Sequence, residues 1–173
     1  GFYTGFISGI IFWAISVSWI YSAINFYGAG NLISFLISSL LILYLSLYSG
    51  LFFSGIYLFK ESDFRWLILP SLFYFLEWIK SWMISGFPWL NLGIIFDKFW
   101  GALPLVGISG TSFIIVMIAC LLFERNLFLK LGLSAALSLL LLFGPGHYQE
   151  IDGESLDVTV IQPGDNDFEK KDL

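Results

Sequence analysis

Charge is what this sequence lacks most. Only 12% of its 173 residues are charged, which is about half the fraction usual in a soluble domain. The first charged residue is Lys60, so a long initial stretch contains no Asp, Glu, Lys, Arg or His. A hydrocarbon core needs only about 20 apolar residues per helix, and this stretch is long enough for more than one span. The sequence therefore predicts a polytopic membrane protein.

Cysteine and histidine are nearly absent, with Cys120 and His147 the single residue of each type. One cysteine cannot form a disulfide within the chain, and this pair cannot supply the usual set of zinc ligands. No cluster of Lys and Arg forms a basic patch of the kind that binds nucleic acid. We expect no metal, no cofactor and no nucleic-acid partner. Cys120, in an apolar segment without a neighbouring His or acid, is expected to be a packing residue.

What the sequence does contain is a series of apolar segments separated by polar or glycine-containing turns. They predict an all-α polytopic membrane bundle over residues 1–144, because each is long enough to be a helix across much of a bilayer. The expected spans are, approximately, residues 2–24, 32–59, 66–85, 103–123 and 127–143.

The last part of the chain differs in composition. Eight of the 13 acidic residues lie from Glu150 onward. Residues 156–162 alternate apolar and polar side chains and end at Pro163, which is typical of a β-strand followed by a turn. We expect a linker over residues 145–155 and the start of a soluble α/β domain over residues 156–173.

The distribution of Lys and Arg predicts the orientation of the bundle. Lys60 and Arg65 lie between the second and third segments, and Arg125 and Lys130 lie at the junction of the fourth and fifth, whereas the opposite loops carry only Lys98. Loops rich in Lys and Arg face the cytoplasm. The segment after residue 144 is therefore expected on the outer side, which in a bacterium is the periplasm.

Small residues recur at helical contact spacing. One stripe comprises Gly1, Gly5 and Gly9, and a second comprises residues 46, 50 and 54. Such stripes allow helix backbones to approach closely inside a membrane. We interpret them as contacts within the chain rather than as a dimerisation motif.

Glu77 and Lys80 are the charged residues inside the third apolar segment. At i,i+3 they share one face of a helix, and a carboxylate inside a membrane calls for a partner or a polar cavity. Two interpretations remain open. The pair is either a structural ion pair near the membrane boundary, which we favour, or part of a lipid-facing cavity.

Aromatic residues surround the predicted exit of this helix. Trp82, Phe87, Trp89 and residue 100 are expected to cluster at the membrane surface, where aromatic side chains are common. Gly86 and Pro88 explain why the helix ends here, because glycine tolerates a C-terminal cap and proline prevents continuation. Residues 87–102 are expected to run along the outer surface and to line the mouth of an acyl-chain cavity.

The same stretch, EWIKSWMISGFPWLNLG at residues 77–93, resembles a segment of the bacterial apolipoprotein N-acyltransferases. Three further stretches resemble that family in the same order: SWIYSAINFYG at 18–28, YLSLYSGLF at 44–52 and VTVIQPG at 158–164. The last is similar to the first strand of the family's nitrilase-like domain. The resemblance covers nearly the whole chain.

The resemblance implies an inner-membrane enzyme with eight transmembrane helices and a periplasmic catalytic domain. Such an enzyme moves a fatty acyl group from a phospholipid to the N-terminal diacylglyceryl-cysteine of a lipoprotein, through a Glu-Lys-Cys triad and a thioester. The triad is expected beyond Leu173, so Cys120, Glu77 and Lys80 are not its members. This chain, a piece of a longer protein, is then expected to be inactive alone. This chain has Lys170 and Lys171 where the family often has Lys followed by Trp. Any contact with the substrate that the family's Trp makes is therefore in doubt for this chain.

Two other classes of protein remain open at this point. A fragment of a secondary transporter would account for an intramembrane Glu and Lys, although no internal repeat of the kind common in transporters is visible. A non-catalytic membrane anchor for an outer partner would need only the helices.

Overall fold

The computed structural model describes residues 1–96, 103–124 and 126–143, and every regular element in these ranges is helical. The α-helices are α1 Phe2–Ser16, α2 Ser18–Ile24, α3 Gly30–Leu58, α4 Arg65–Trp82, α5 Leu103–Leu122 and α6 Ser134–Phe143. Short helical turns occupy Asn25–Ala29, Met83–Ser85, Leu92–Phe96 and Phe128–Leu133. The predicted all-helical bundle is confirmed for the described residues. The predicted strand at 156–162 lies outside them.

Two helical stretches among the described residues are long and apolar enough to cross a membrane. They are Ser18–Leu58 and Leu103–Leu121, and the shorter helices Phe2–Ser16 and Lys130–Phe143 are also apolar. About five spans were predicted from the sequence. The length and hydropathy of the described helices support two of them. Large apolar side chains cover much of the surface of these helices, among them Tyr3, Ile15, Phe26, Leu32, Leu58, Phe123 and Phe143. An exposed apolar surface of this extent is expected where lipid rather than water surrounds a protein.

Glycine brings α1 and α3 into close antiparallel contact. A Cβ atom added to Gly5 would lie 2.7 Å from the carbonyl oxygen of Ser49, and one added to Gly9 would lie 2.8 Å from the Ser49 Cβ. On α3, a Cβ added to Gly50 would lie 2.7 Å from the Phe2 ring. The predicted role of these stripes in packing within the chain is confirmed.

Arg65 joins the ends of three helices at one end of the bundle. Its Nε donates a hydrogen bond of 2.7 Å to the Glu124 carboxylate after α5, and its two terminal nitrogens donate to the carbonyl oxygens of Lys60 and Phe123. These loops therefore meet at the end of the bundle opposite the C-terminus of α4. The helices α3, α4 and α5 run alternately up and down between the two ends.

Candidate functional site

The chain reverses direction at the end of α4. After Trp82 a single turn, Met83–Ser85, contains Ile84 in the left-handed region with φ of 53°, and Gly86 follows with φ of 78°. A side chain at position 86 would collide with the carbonyl oxygen of Ser81. The Phe87 N–H then donates to the carbonyl oxygen of Lys80 at 2.8 Å. Gly86 is needed for this reversal, because few residues other than glycine adopt its conformation.

Residues 86–96, which we call the exit loop, fold back between α4 and α5. The Leu92 N–H donates to Glu77 Oε1 at 3.0 Å, Lys80 Nζ donates to the Trp89 carbonyl oxygen at 3.4 Å, and the Gly93 N–H donates to Ser112 Oγ at 2.8 Å. The exit loop is thereby attached to both helices.

The expectation that residues 87–102 run along the outer surface is confirmed only in part for the residues that the structure describes, 87–96, of which 88–90, 94 and 95 are exposed. Phe87 and Gly93 are buried. The physical reason is that backbone N–H and C=O groups of the loop find partners among the polar side chains of α4 and α5, and a buried backbone group requires such partners. Residues 97–102, including Trp100, lie outside the described ranges.

Glu77 and Lys80 do not form the direct ion pair that the sequence favoured. Both side chains are buried, at 7% and 4% exposure, but within the described residues no ion pair of 4.0 Å or less joins them. Their i,i+3 spacing does place them in the same cavity, as expected for one helix face. Each side chain instead forms a hydrogen bond with the backbone of the exit loop. These partners could not be identified from the sequence of α4 alone.

Trp13 is the third polar member of this site, and the sequence analysis missed it. The Lys80 ammonium lies 5.2 Å from the centre of the Trp13 ring, within the range of a cation–π interaction. Trp13 Nε1 and Glu77 Oε2 are both buried without a hydrogen-bond partner. The sequence contained an indication of this role, because Trp13 follows Gly5 and Gly9 at the same four-residue spacing. It therefore lies on the face of α1 that packs against α3.

The aromatic residues around the helix exit form two groups instead of the single predicted cluster. Phe87 packs edge-on against Trp13 at 6.1 Å between ring centres, and Trp89 packs against Phe87 at 5.2 Å. Trp82 contacts Trp78 on α4, at 5.4 Å between ring centres. The side chains of Trp82, Pro88 and Trp89 are exposed, whereas Phe87 is buried. Pro88 and Trp89 therefore lie at the outer face of the loop and Phe87 at its inner face.

Two tyrosines of α3 hold the turn before the exit loop. Tyr44 and Tyr48 are joined by a hydrogen bond of 2.6 Å between their hydroxyl groups. Tyr44 donates its proton to the carbonyl oxygen of Met83, so Tyr48 is the donor between the two hydroxyl groups, and the Tyr48 oxygen lies 3.5 Å from the Met83 sulfur atom. The turn that carries Ile84 is thus attached to α3 as well as to α4.

An apolar cavity of about 340 Å³ lies beneath the exit loop. Its walls come from α1, α3, α4 and the loop: Phe12, Trp13, Tyr48, Ser49, Phe52, Phe53, Phe73, Leu76, Glu77, Lys80, Leu90 and Leu92. The cavity combines aromatic and aliphatic walls with the polar groups of Trp13, Tyr48, Ser49, Glu77 and Lys80. Such a cavity suits a molecule that is mostly apolar and carries a small polar part.

The described part of the chain holds no group of His, Cys, Asp and Glu side chains suited to a metal ion. Cys120 lies in a different cavity, between α3, α4 and α5, together with apolar side chains, Lys60 and Arg65. Neither Glu77 nor Lys80 contacts a nucleophile. The arrangement of these described residues can bind and orient a molecule that is mostly apolar.

The described helices form an apolar bundle of the kind found in membrane proteins, with an apolar cavity under the exit loop. The family model described as the apolipoprotein N-acyltransferase N-terminal domain matches residues 1–121. This chain belongs to that family.

Curated relatives carry the same description. An apolipoprotein N-acyltransferase of Haemophilus influenzae is 30% identical over 87% of this chain, and one of Pasteurella multocida is 29% identical over 70% of it. The match to a protein of that name from Methylococcus capsulatus, 26% identical, covers 91% of this chain. The alignments cover 32%, 24% and 34% of the respective relatives, so this chain spans about a third of their length or less.

Proposed function

We propose that this chain is the membrane part of an enzyme that transfers a fatty acyl group from a phospholipid to the N-terminal diacylglyceryl-cysteine of lipoproteins. Family membership over residues 1–121 carries the proposal. The cavity beneath the exit loop supports it, because an apolar cavity with a few polar groups suits a lipid substrate. The transporter and anchor alternatives lose support, since relatives matching most of the chain are named as acyltransferases.

The proposed protein crosses the bacterial inner membrane several times, with residues after 144 on the periplasmic side. Lys60 and Arg65 lie at the end of the bundle opposite the exit loop, and basic residues favour the cytoplasmic side. The exit loop then faces the periplasm. In this arrangement residues 2–24, 32–59, 66–85, 103–123 and 127–143 are the membrane segments, 145–155 form a linker, and 156–173 begin the nitrilase-like domain.

Glu77 and Lys80 have a positioning role in this proposal. They bind backbone groups of Leu92 and Trp89 and so hold the exit loop over the cavity. Phe87 closes the inner face of the loop, while Trp82, Pro88 and Trp89 lie where they can meet lipid or the catalytic domain. The acyl chain of a phospholipid enters the cavity, and the catalytic nucleophile acts on its ester from above.

The catalytic residues of the proposed reaction lie beyond Leu173. A thiol there takes the acyl group from the phospholipid and passes it to the amino group of the lipoprotein, in two successive half-reactions. The isolated chain of 173 residues is accordingly inactive.

Acyl transfer by the full-length protein tests this proposal. The protein is supplied with a phospholipid and a diacylglyceryl lipopeptide, and the mass of the lipopeptide is measured. We expect an increase of one acyl group with the full-length protein and no increase with residues 1–173 alone. Transport of a solute without acyl transfer would overturn the proposal, as would an acyl group trapped on Cys120.

A further inference from the structure

The cavity that contains Cys120, which we call the Cys120 cavity, extends to the end of the bundle opposite the exit loop. It measures about 500 Å³, within the range of about 300–1,000 Å³ that is common for ligand cavities. Its wall on α4 extends from Phe73 to Arg65, eight positions or about 12 Å along a helix. Lys60 and Arg65 are its charged residues, and its other side chains are apolar apart from the Cys120 thiol.

A polar cavity of about 350 Å³ adjoins it at this end. Lys60 and Arg65 line both cavities, and the polar one is also lined by three acidic side chains, Glu61, Asp63 and Glu124. The two cavities therefore meet at the two basic residues. An apolar cavity that continues into a charged one suits an amphiphile, whose alkyl chain fills the first and whose head fills the second.

The charges of the polar cavity are only partly matched within the protein. Arg65 and Glu124 form an ion pair of 2.7 Å, with side-chain exposures of 28% and 11%. Lys60 Nζ lies 3.9 Å from Glu61, but this pair is largely exposed and contributes little stability. Asp63 forms no ion pair with another described residue. One basic and two acidic side chains are thus left to bind a ligand.

This pattern of charge selects a zwitterionic head. A phosphate accepts hydrogen bonds from Lys60 and from Arg65, which donates three to described residues out of the five that a guanidinium can donate. A primary ammonium can donate three, and Glu61 and Asp63 supply acceptors. A head with a phosphate alone would leave both carboxylates without a cation. A trimethylammonium has no N–H group to donate.

We infer that a phospholipid with a phosphoethanolamine head binds at this end of the bundle. Its phosphate contacts Lys60 and Arg65, its ammonium contacts Glu61 and Asp63, and one acyl chain lies in the Cys120 cavity. The lipid joins the ends of α3, α4 and α5. The inference goes beyond the proposed function and rests on it only for the membrane setting, because this lipid is a structural ligand and not the acyl donor.

Protection of Cys120 from alkylation tests the inference without catalytic turnover. Every other cysteine of the full-length protein is replaced by serine, and the protein is freed of lipid in detergent. The rate of Cys120 alkylation by N-ethylmaleimide is followed by mass spectrometry. Dioleoyl phosphatidylethanolamine, phosphatidylcholine and phosphatidylglycerol with the same chains, and water-soluble phosphoethanolamine are added in turn.

Phosphatidylethanolamine at ten times its dissociation constant is expected to slow the alkylation about tenfold. The other two lipids and free phosphoethanolamine should leave the rate close to its value without lipid. Lys60→Met should raise the phosphatidylethanolamine concentration needed for protection about tenfold, the effect of losing one hydrogen bond to a charged group. Asp63→Asn should raise it as well.

Two lysines provide matched controls for Lys60→Met. Lys130 lies in the turn before α6 and lines neither cavity, so Lys130→Met should leave the protection unchanged. Lys80 lines the cavity beneath the exit loop. Protection that persists in Lys80→Met shows that the lipid which shields Cys120 does not depend on that other cavity, whereas loss of protection there would contradict the inference.

Three results would overturn the inference. Equal protection by the three lipids would mean that the polar cavity selects nothing, and equal protection by phosphoethanolamine would make the ligand a soluble compound. A Cys120 that fails to react in the lipid-free protein would show that another segment of the protein fills the cavity.

The proposed function is tested separately, by acyl transfer in the protein that keeps all its cysteines. If transfer occurs and phosphatidylethanolamine does not protect Cys120, only the inference fails. If phosphatidylethanolamine protects Cys120 and no transfer occurs, only the proposed function fails.

Discussion

At the scale of single residues, Glu77 and Lys80 act on the backbone of the exit loop and not on each other. Glu77 accepts a hydrogen bond from Leu92, and Lys80 donates one to Trp89. The spacing of the two residues on α4 showed that they share a face. Their partners belong to a loop whose path depends on α5, and no local pattern in the sequence specifies that path.

Two substitutions of Glu77 distinguish a loop contact from an ion pair. Glu77→Gln keeps an oxygen that accepts the Leu92 N–H, so it should cost less stability than Glu77→Leu, which leaves that donor buried and unpaired. An unpaired buried donor costs about 1–3 kcal/mol. Thermal unfolding of the full-length protein in detergent measures both variants. If Gln and Leu destabilise equally, the carboxylate charge matters more than the loop contact.

Gly86 offers a second test at this scale. In Gly86→Ala the new methyl group meets the Ser81 carbonyl oxygen, whereas in Gly28→Ala, with a comparable φ of 86°, nothing lies within 4 Å. Gly28→Ala should therefore lower the free energy of unfolding by only the cost of holding alanine in a left-handed conformation, about 1–2 kcal/mol. Gly86→Ala should lower it by more. Unfolding temperatures of the two variants provide the comparison. A larger loss for Gly28→Ala would contradict the geometry of the reversal.

At the scale of helices, the contact between α1 and α3 depends on small residues. Here the sequence was sufficient, because a repeat of Gly at every fourth position places all of them on one face. The same spacing leads to Trp13, which completes the site. The break at Val17 between α1 and α2 was not visible, since the apolar pattern continues through it without a glycine or proline.

Gly5→Ala tests this contact. The added methyl group would lie 2.7 Å from the Ser49 carbonyl oxygen, so the two helices must separate, and overpacking of this kind costs about 1–3 kcal/mol. Gly132→Ala is the control, because its methyl group would meet Phe128 at an ordinary distance of 3.6 Å. We expect only the first to lower the unfolding temperature. Equal effects would mean that the α1–α3 contact tolerates a wider separation.

At the scale of the whole molecule, the bundle has two chemically different ends. Arg65 and Glu124 hold one end, and the exit loop covers the other. The sequence predicted the helical class, because composition and hydrophobic runs are sufficient for that. A cavity near Glu77 and the exit loop was expected from the sequence, but its walls could not be predicted, since they come from three helices and a loop that are far apart in the chain.

Cysteine labelling tests the proposed orientation of the two ends. Glu61 and Tyr27 are exposed and lie near opposite ends of α3, a 29-residue helix that is about 44 Å long at the usual rise. In full-length protein without other cysteines, Tyr27→Cys should react with a membrane-impermeant maleimide added to spheroplasts. Glu61→Cys should react only after the membrane is opened. The reverse pattern would invert the topology.

The most direct test of the account is the effect of Lys80→Met on the two half-reactions of the full-length protein, with unfolding temperature measured alongside. If the exit loop and its cavity handle the phospholipid, formation of the acyl-enzyme from phospholipid should slow about tenfold, equivalent to about 1.4 kcal/mol. Transfer from a preformed acyl-enzyme to a lipopeptide should keep its wild-type rate. A folded variant in which only the second half-reaction slows, or in which neither changes, would contradict the account.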